Sequence, residues 1–268
     1  MTDSRQRRAA RFVSVYWRAA VGSAYALTAG IGHRRHRGLL TDIARHFGYD
    51  HTALDARLPR ASIDEMVPRG LALDLRELHA VDGNVSVLEL VILAATAARL
   101  KARTVFEIGT FDGRTAVNLA ANADNAVTVY TLDLPLQGSA TVLAADAEDL
   151  KYMQPSLSGA RIRQSEFAPR VRQLFGDSAK FDFRPYVGSI DLCFVDGAHS
   201  REYVLNDSRR ALELTHPGSI ILWHDYAMWP GVTQALNELR EGGGACADIR
   251  WIEGTTLAVL VRGSANAE

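Results

Sequence analysis

The stretch Thr104-Val105-Phe106-Glu107-Ile108-Gly109-Thr110-Phe111-Asp112-Gly113-Arg114-Thr115 constrains the fold of this chain more than any other. A short apolar run contains an acid, a turn bounded by Gly109 and Gly113 follows, and Thr115 to Ala121 reads as a helix. Strand, glycine turn and helix in that order are the first unit of a doubly wound α/β sheet. Open sheets of this kind take ligands at the carboxyl ends of their strands, where a glycine turn lets a ligand approach bare backbone. A dinucleotide site needs Gly-x-Gly-x-x-Gly, with the middle glycine close to a pyrophosphate. Phe111 occupies that middle position and argues against NAD. A second strand, Val127 to Leu132, ends in Asp133, a carboxylate placed to accept both hydroxyls of a ribose. A cationic nucleoside without phosphates suits this set better than a dinucleotide.

The rest of the pattern extends the sheet. Ser86-Val87-Leu88-Glu89 is a capping box that opens a helix running to about Lys101. Val171 to Phe175 reads as a third strand, followed by Gly176-Asp177-Ser178. Ser189 to Val195 is a fourth strand ending in Asp196-Gly197-Ala198-His199, and Arg201 to Leu214 a helix. Ser219 to Trp223 is a fifth strand ending in His224-Asp225-Tyr226, with a helix from Val232 to Arg240. Ile249 to Ile252 and Thr256 to Val261 close the chain as a hairpin. The connection over 136–168 is long and polar, a length often functional in compact domains.

Asp196, His224 and Asp225 stand at the ends of two strands expected to be neighbours, opening onto the same crevice as the glycine turn. Two carboxylates and an imidazole there could hold a divalent cation. Two hard oxygens suit Mg²⁺, Ca²⁺ or Mn²⁺, and the added nitrogen favours Mn²⁺, Fe²⁺ or Zn²⁺. The alternative is that Asp196 binds cofactor or caps a helix while His224 and Asp225 bond to backbone.

Hydrophobic residues make up 47% of the 268, enough for a full core, and the net charge of −1 gives no footing for a nucleic-acid binder. Cys193 and Cys246 have no metal-ligand spacing, which points to a reduced, cytoplasmic setting. Residues 1–83 read as a helical appendage to a domain of residues 84–268, with one helix expected over Gly38 to Phe47. Arg5, Arg7, Arg8, Arg11, Arg18, Arg34, Arg35 and Arg37 crowd its beginning. Arg18 breaks the only long apolar run, so the segment reads as a solvated or partner-packed helix, with contact to an anionic membrane surface as the alternative. Self-association is left open.

The stretch from Glu107 to Gly113 resembles the first motif of class I S-adenosylmethionine-dependent methyltransferases. That resemblance implies a mostly parallel seven-stranded sheet ending in a β-hairpin. Gly109, Thr110, Phe111 and Gly113 would line the methionine part of the cofactor, Glu107 would shape the loop, Asp133 would hold the ribose, and Asp177 and Ser178 would meet the adenine, with ordinary turn chemistry of Gly-Asp-Ser as the alternative for that pair. Asp196-Gly197-Ala198-His199 and His224-Asp225 are similar to the metal-site motifs of the catechol-type O-methyltransferases. By that similarity Asp196 would be the acidic ligand, His199 would stand where the family has a catalytic lysine, and His224-Asp225 would replace its Asp-Asn pair. The expected activity is metal-assisted O-methylation of a small hydroxylated molecule. His199, with an ordinary imidazole pKa of ~6.5, would be the general base. A metal-independent methyltransferase using His199 alone, and a non-catalytic S-adenosylmethionine-binding protein, are the other readings.

Overall fold

The computed structural model describes residues 16–25, 27–28, 32, 54–134, 141–144, 149 and 157–263. The chain divides into two units, Met1–Ala53 and Leu54–Glu268. In the first, residues 16–25 are helical and expose Tyr16, Trp17, Val21 and Tyr25. The helix expected over Gly38 to Phe47, and most of the arginine cluster, lie outside the described residues.

The second unit holds one sheet of eight strands. They are β1 (Arg60–Ala61), β2 (Thr104–Ile108), β3 (Thr128–Asp133), β4 (Val171–Phe175), β5 (Ile190–Val195), β6 (Thr215–Trp223), β7 (Arg250–Ile252) and β8 (Ala258–Val261). Their order is β1-β7-β8-β6-β5-β2-β3-β4. β8 runs antiparallel to β6 and β7, and every other pair is parallel. This is the doubly wound, mostly parallel sheet with a terminal hairpin that the sequence implied. It has eight strands instead of seven because Arg60–Ala61 adds to the edge at β7. That strand comes from the stretch expected to form the N-terminal appendage and lies in the unit Leu54–Glu268.

Helices cover both faces, which is why β2 and β5 are apolar on both sides. On one face lie α1 (Ile63–Met66), α2 (Val87–Leu100), α3 (Arg114–Asn122) and α4 (Ala160–Gln164), with Leu93, Leu119 and Ile162 in the core. On the other lie α5 (Arg201–Leu214) and α6 (Pro230–Glu241), packing Val204, Leu214 and Leu236 against Phe106, Cys193 and Trp223. Ser86 caps α2 and Glu89 returns the bond, its Oε2 accepting from the Ser86 N–H at 2.7 Å.

A strap of extended chain passes α3 before α2 begins. Asn122 accepts from the Asp74 N–H and donates to its carbonyl, both at 2.8 Å. Asn118 does the same to Arg76 at 2.8 and 2.9 Å. The fully buried Arg114 donates to the carbonyls of Glu77, Leu78 and Val85. Residues 114, 118 and 122 share one face of the helix because they are four apart.

Candidate active site

The glycine turn crosses the carboxyl end of β2, between β3 and β5. Gly109 has φ +102, and a Cβ there would run into the Asp196 carbonyl. Its N–H donates to Leu132 O, while the Asp196 N–H donates to Ile108 O, both at 2.8 Å. Phe111, at φ 46, is left-handed without being glycine, a conformation non-glycine residues rarely hold. Gly113, also left-handed at φ 86, begins α3, and its missing side chain leaves room for Ile162.

Below the turn, Glu107 is buried and accepts from Thr131 Oγ1 at 2.5 Å, which in turn contacts Thr110 Oγ1 at 2.7 Å. Burial pushes its carboxyl well above the usual range against the Thr131 bond, with the charges of Asp196, Asp133 and Asp112 adding to the rise. Asp133 ends β3. Its Oδ1 accepts from the Leu134 N–H at 2.9 Å and its Oδ2 from Ser158 Oγ at 2.5 Å. A carboxylate has about four acceptor positions, so roughly two remain for a ligand. Burial raises this carboxyl too.

Asp177 and Ser178 follow β4 and are both buried. Asp177 accepts from the Val142 and Ala179 N–H groups at 2.7 and 2.8 Å, and Tyr203 O–H lies 3.0 Å from both its oxygens. The carboxylate is close to saturated within the protein, so an adenine could reach it only if Val142 or Tyr203 gave way. Ser178 neighbours Asp207 of α5, whose Oδ1 accepts from Asn206 Nδ2 at 2.9 Å. Asp207 Oδ2 is one of two buried side-chain polar atoms among the described residues without a hydrogen-bond partner.

β5 and β6 are adjacent, and their ends bring four expected residues together. His224 Nδ1 lies 3.0 Å from Asp196 Oδ1 and 3.2 Å from Asp225 Oδ2. His199 Nε2 lies 2.8 Å from the same Asp225 oxygen. Among the described residues, the group whose donor atoms all lie within 4.8 Å of one another is Asp196, His199 and Asp225, which brings His199 within range of an ion those acids could hold. Adjacent ligands on an octahedral ion with bonds of ~2.1 Å are about 3 Å apart, so the donor spacing and the mixed oxygen and nitrogen chemistry fit a divalent cation. Asp225 holds φ 65, a left-handed backbone of the kind that collects at functional sites. Thr256 Oγ1 accepts from its N–H at 3.3 Å, and its carbonyl accepts from the Met228 and Trp229 N–H groups.

Two further acids belong to this cluster, and the sequence reading gave neither a place in it. Asp149 accepts from the His199 backbone N–H at 3.2 Å and lies 2.5 Å from its Nδ1. Glu89 Oε2 faces His224 Nε2 at 3.4 Å. Trp229 stacks flat on His199, with centroids 4.2 Å apart and planes within 11°. The expectation of an ordinary imidazole pKa at His199 is therefore wrong. Burial alone would lower it, but the bonds to Asp149 and Asp225 outweigh burial and push it up to about 10. His224 is likewise raised well above its usual range against burial, by the charges of Asp225 and Asp196. Asp225 is in turn held low, in spite of burial, by the charge of His224 and the bonds from His199 and His224.

Residues 106–226 match a family model described as a methyltransferase domain. No curated protein matches the chain in sequence. Among solved structures, the O-methyltransferase NovP is similar with a TM-score of 0.53 and 16% identity, over 66% of this chain and 81% of that one. The S-adenosylhomocysteine-bound methyltransferase PaMTH1 of Podospora anserina is similar with a TM-score of 0.51 and 18% identity, over 68% of this chain and 81% of that one. At those identities the likeness concerns the fold.

Proposed function

We propose that this chain, whose residues 106–226 match a methyltransferase domain and whose sheet is mostly parallel with a terminal hairpin, uses S-adenosylmethionine to methylate a hydroxyl oxygen of a small molecule with the help of a divalent ion. The observation that carries the proposal is the convergence of Asp196, His224 and Asp225 beside the Gly109 turn. Gly109, Thr110, Phe111 and Gly113 would line the methionine part of the cofactor, Glu107 would support the turn from beneath, and Asp133 would use its remaining acceptor positions on the ribose. Asp177 and Ser178 border the adenine end, Asp177 serving through the loop it holds at Val142.

The sulfonium already makes the methyl group electrophilic, so the protein chiefly supplies position and charge. Asp196, His224 and Asp225 would hold the ion, which when bound lowers the pKa of a coordinated hydroxyl. His199 would take the acceptor's proton. It can do so only as a neutral ring, a form that a cation bound beside Asp225 would favour. Asp149 then keeps the Nδ1–H, leaving Nε2, which faces Asp225, for the proton. Trp229 fixes the plane of the ring.

The test is transfer of labelled methyl from S-adenosylmethionine to a panel of hydroxylated metabolites, with and without chelator. Turnover abolished by chelator and restored by Mn²⁺ or Mg²⁺ supports the reading. Turnover indifferent to chelator replaces it with a metal-independent enzyme in which His199 and Asp149 act alone. A separate reading concerns the first unit, where the exposed Tyr16, Trp17 and Val21 beside Arg18 favour peripheral contact with an anionic membrane. No helix among the described residues is long and apolar enough to cross one.

A further inference from the structure

Glu89 looks at first like an ordinary helix cap. It is buried, opens α2, and completes the capping box with Ser86. A cap uses one carboxylate oxygen, yet both are engaged. Oε1 accepts from the Thr256 N–H at 2.7 Å and from Thr256 Oγ1 at 2.8 Å. Oε2 accepts from the Ser86 N–H at 2.7 Å and faces His224 Nε2 at 3.4 Å, longer than an optimal bond but on the one ring nitrogen that points away from Asp196 and Asp225. Thr256 is the same residue that accepts from the Asp225 N–H. One carboxylate thus reaches both members of the His224-Asp225 pair, the ring directly and the left-handed backbone through Thr256.

A histidine can offer a lone pair from one ring nitrogen only when the proton stays on the other. Ligating histidines commonly donate that remaining N–H to a carboxylate, which fixes ring and tautomer. We propose that Glu89 is the positioning residue of the candidate metal centre, holding the Nε2–H of His224 so that Nδ1 presents its lone pair between Asp196 and Asp225. The inference rests on the metal-assisted reading given above. It adds that the helix preceding the first motif, through the residue that caps it, decides whether the centre can form.

Glutamine separates this role from capping. A capping box accepts Gln as well as Glu. An amide, however, has one oxygen where the carboxylate has two, so it cannot accept at both Thr256 and His224. If its oxygen stays on Thr256, its NH₂ meets the ring, and His224 must accept at Nε2 and carry its proton on Nδ1, where the cation would bind. The experiment is calorimetric titration of the full chain with Mn²⁺, for wild type, E89Q and S86A, alongside S-adenosylhomocysteine affinity and thermal melting of each. The expected result is a 10- to 100-fold loss of Mn²⁺ affinity in E89Q, the range for removing such a partner, with S-adenosylhomocysteine affinity preserved. S86A, which loses the cap and keeps the His224 contact, should melt earlier and bind Mn²⁺ as wild type does. Equal Mn²⁺ affinity in wild type and E89Q overturns the assignment of Glu89 while leaving the metal reading standing. An equal loss in S86A also overturns it, because the effect would then belong to the cap. Absence of Mn²⁺ binding to wild type removes the metal reading and this inference with it.

Discussion

The carbonyl of Asp196 stands where the side chain of residue 109 would be, so the cofactor turn and the first acid of the ionic cluster touch backbone to backbone. Gly109→Ala has no harmless solution. The obstacle is main chain, and φ +102 is strained for any side chain. We expect a loss of about 3 kcal/mol or more in stability, as for the severe backbone and packing classes. Gly113→Ala meets chiefly the movable Ile162 side chain, with the Gly159 Cα less close at 3.3 Å, and should cost about 1–2 kcal/mol, the left-handed penalty. Urea unfolding of both variants checks the order, and a Gly109 variant as stable as wild type would refute it.

Asp133→Ala should weaken S-adenosylhomocysteine binding by about 1–3 kcal/mol, the scale for stranding hydrogen-bond partners. Ser158 loses its acceptor in the same variant, so Ser158→Ala is the control, and it should cost less. Calorimetry decides. NAD binding more tightly than S-adenosylhomocysteine would sink the cofactor assignment altogether.

Asp225→Ala and His199→Ala should fail differently. Asp225 contacts both imidazoles, so its removal should abolish Mn²⁺ binding and turnover together. His199→Ala should keep Mn²⁺ and lower turnover by roughly 10²–10⁴-fold, the range for a general base. Paired Mn²⁺ titrations and rate measurements check the split. If the His199 variant loses the ion as completely as the Asp225 variant, His199 is a ligand and not the base.

Asp207 gives a pH dependence with a definite sign. Burial raises its carboxyl from 3.8 to about 6 in the folded chain, against the lowering by Ser178 and Asn206. The folded state therefore holds this proton more tightly than the unfolded state. The stability it contributes is complete below about pH 4 and is lost as pH rises through about 6. Relative to Asp207→Asn, wild type should lose about 1–3 kcal/mol between those limits. Parallel stability curves for the two proteins across that window would show that Asp207 is not the source.

If the first unit docks on membranes, the full chain should sediment with anionic vesicles at low salt, and a chain lacking residues 1–37 should not. Salt should weaken the association, since exposed charges act over a Debye length of ~8 Å at physiological ionic strength. Equal sedimentation of the two forms would end the membrane reading.

Much of the fold was legible because each sheet strand is punctuated. Glu107-Ile108-Gly109, Leu132-Asp133 and Val195-Asp196-Gly197 mark where buried runs stop and crevice residues begin. β1 was not legible. Two residues, Arg60 and Ala61, have no periodicity, and they become a strand only because the Trp251 N–H donates to Pro59 O and the Glu253 N–H to Ala61 O. Asp196, His199, His224 and Asp225 were legible as strand-end residues, since adjacent parallel strands deliver their ends to one place. The raised pKa of His199 was not, because Asp149 arrives from a distant part of the chain. Glu89 was visible as a cap, and its reach to His224 depends on a ring whose position only the sheet fixes.

The strap along α3 is read through its peptide groups. Asn118 and Asn122 bind N–H and C=O of residues 74 and 76, and Arg114 binds three carbonyls. None of these contacts depends on which side chains the strap carries, apart from proline at 74 or 76, which would remove a donor. Substitutions at 74 and 76 other than proline should therefore leave its path along α3 in place. Leu78 is exposed and Leu73 and Leu75 are half-buried, so what holds the course of this segment is its backbone and not its apolar side chains.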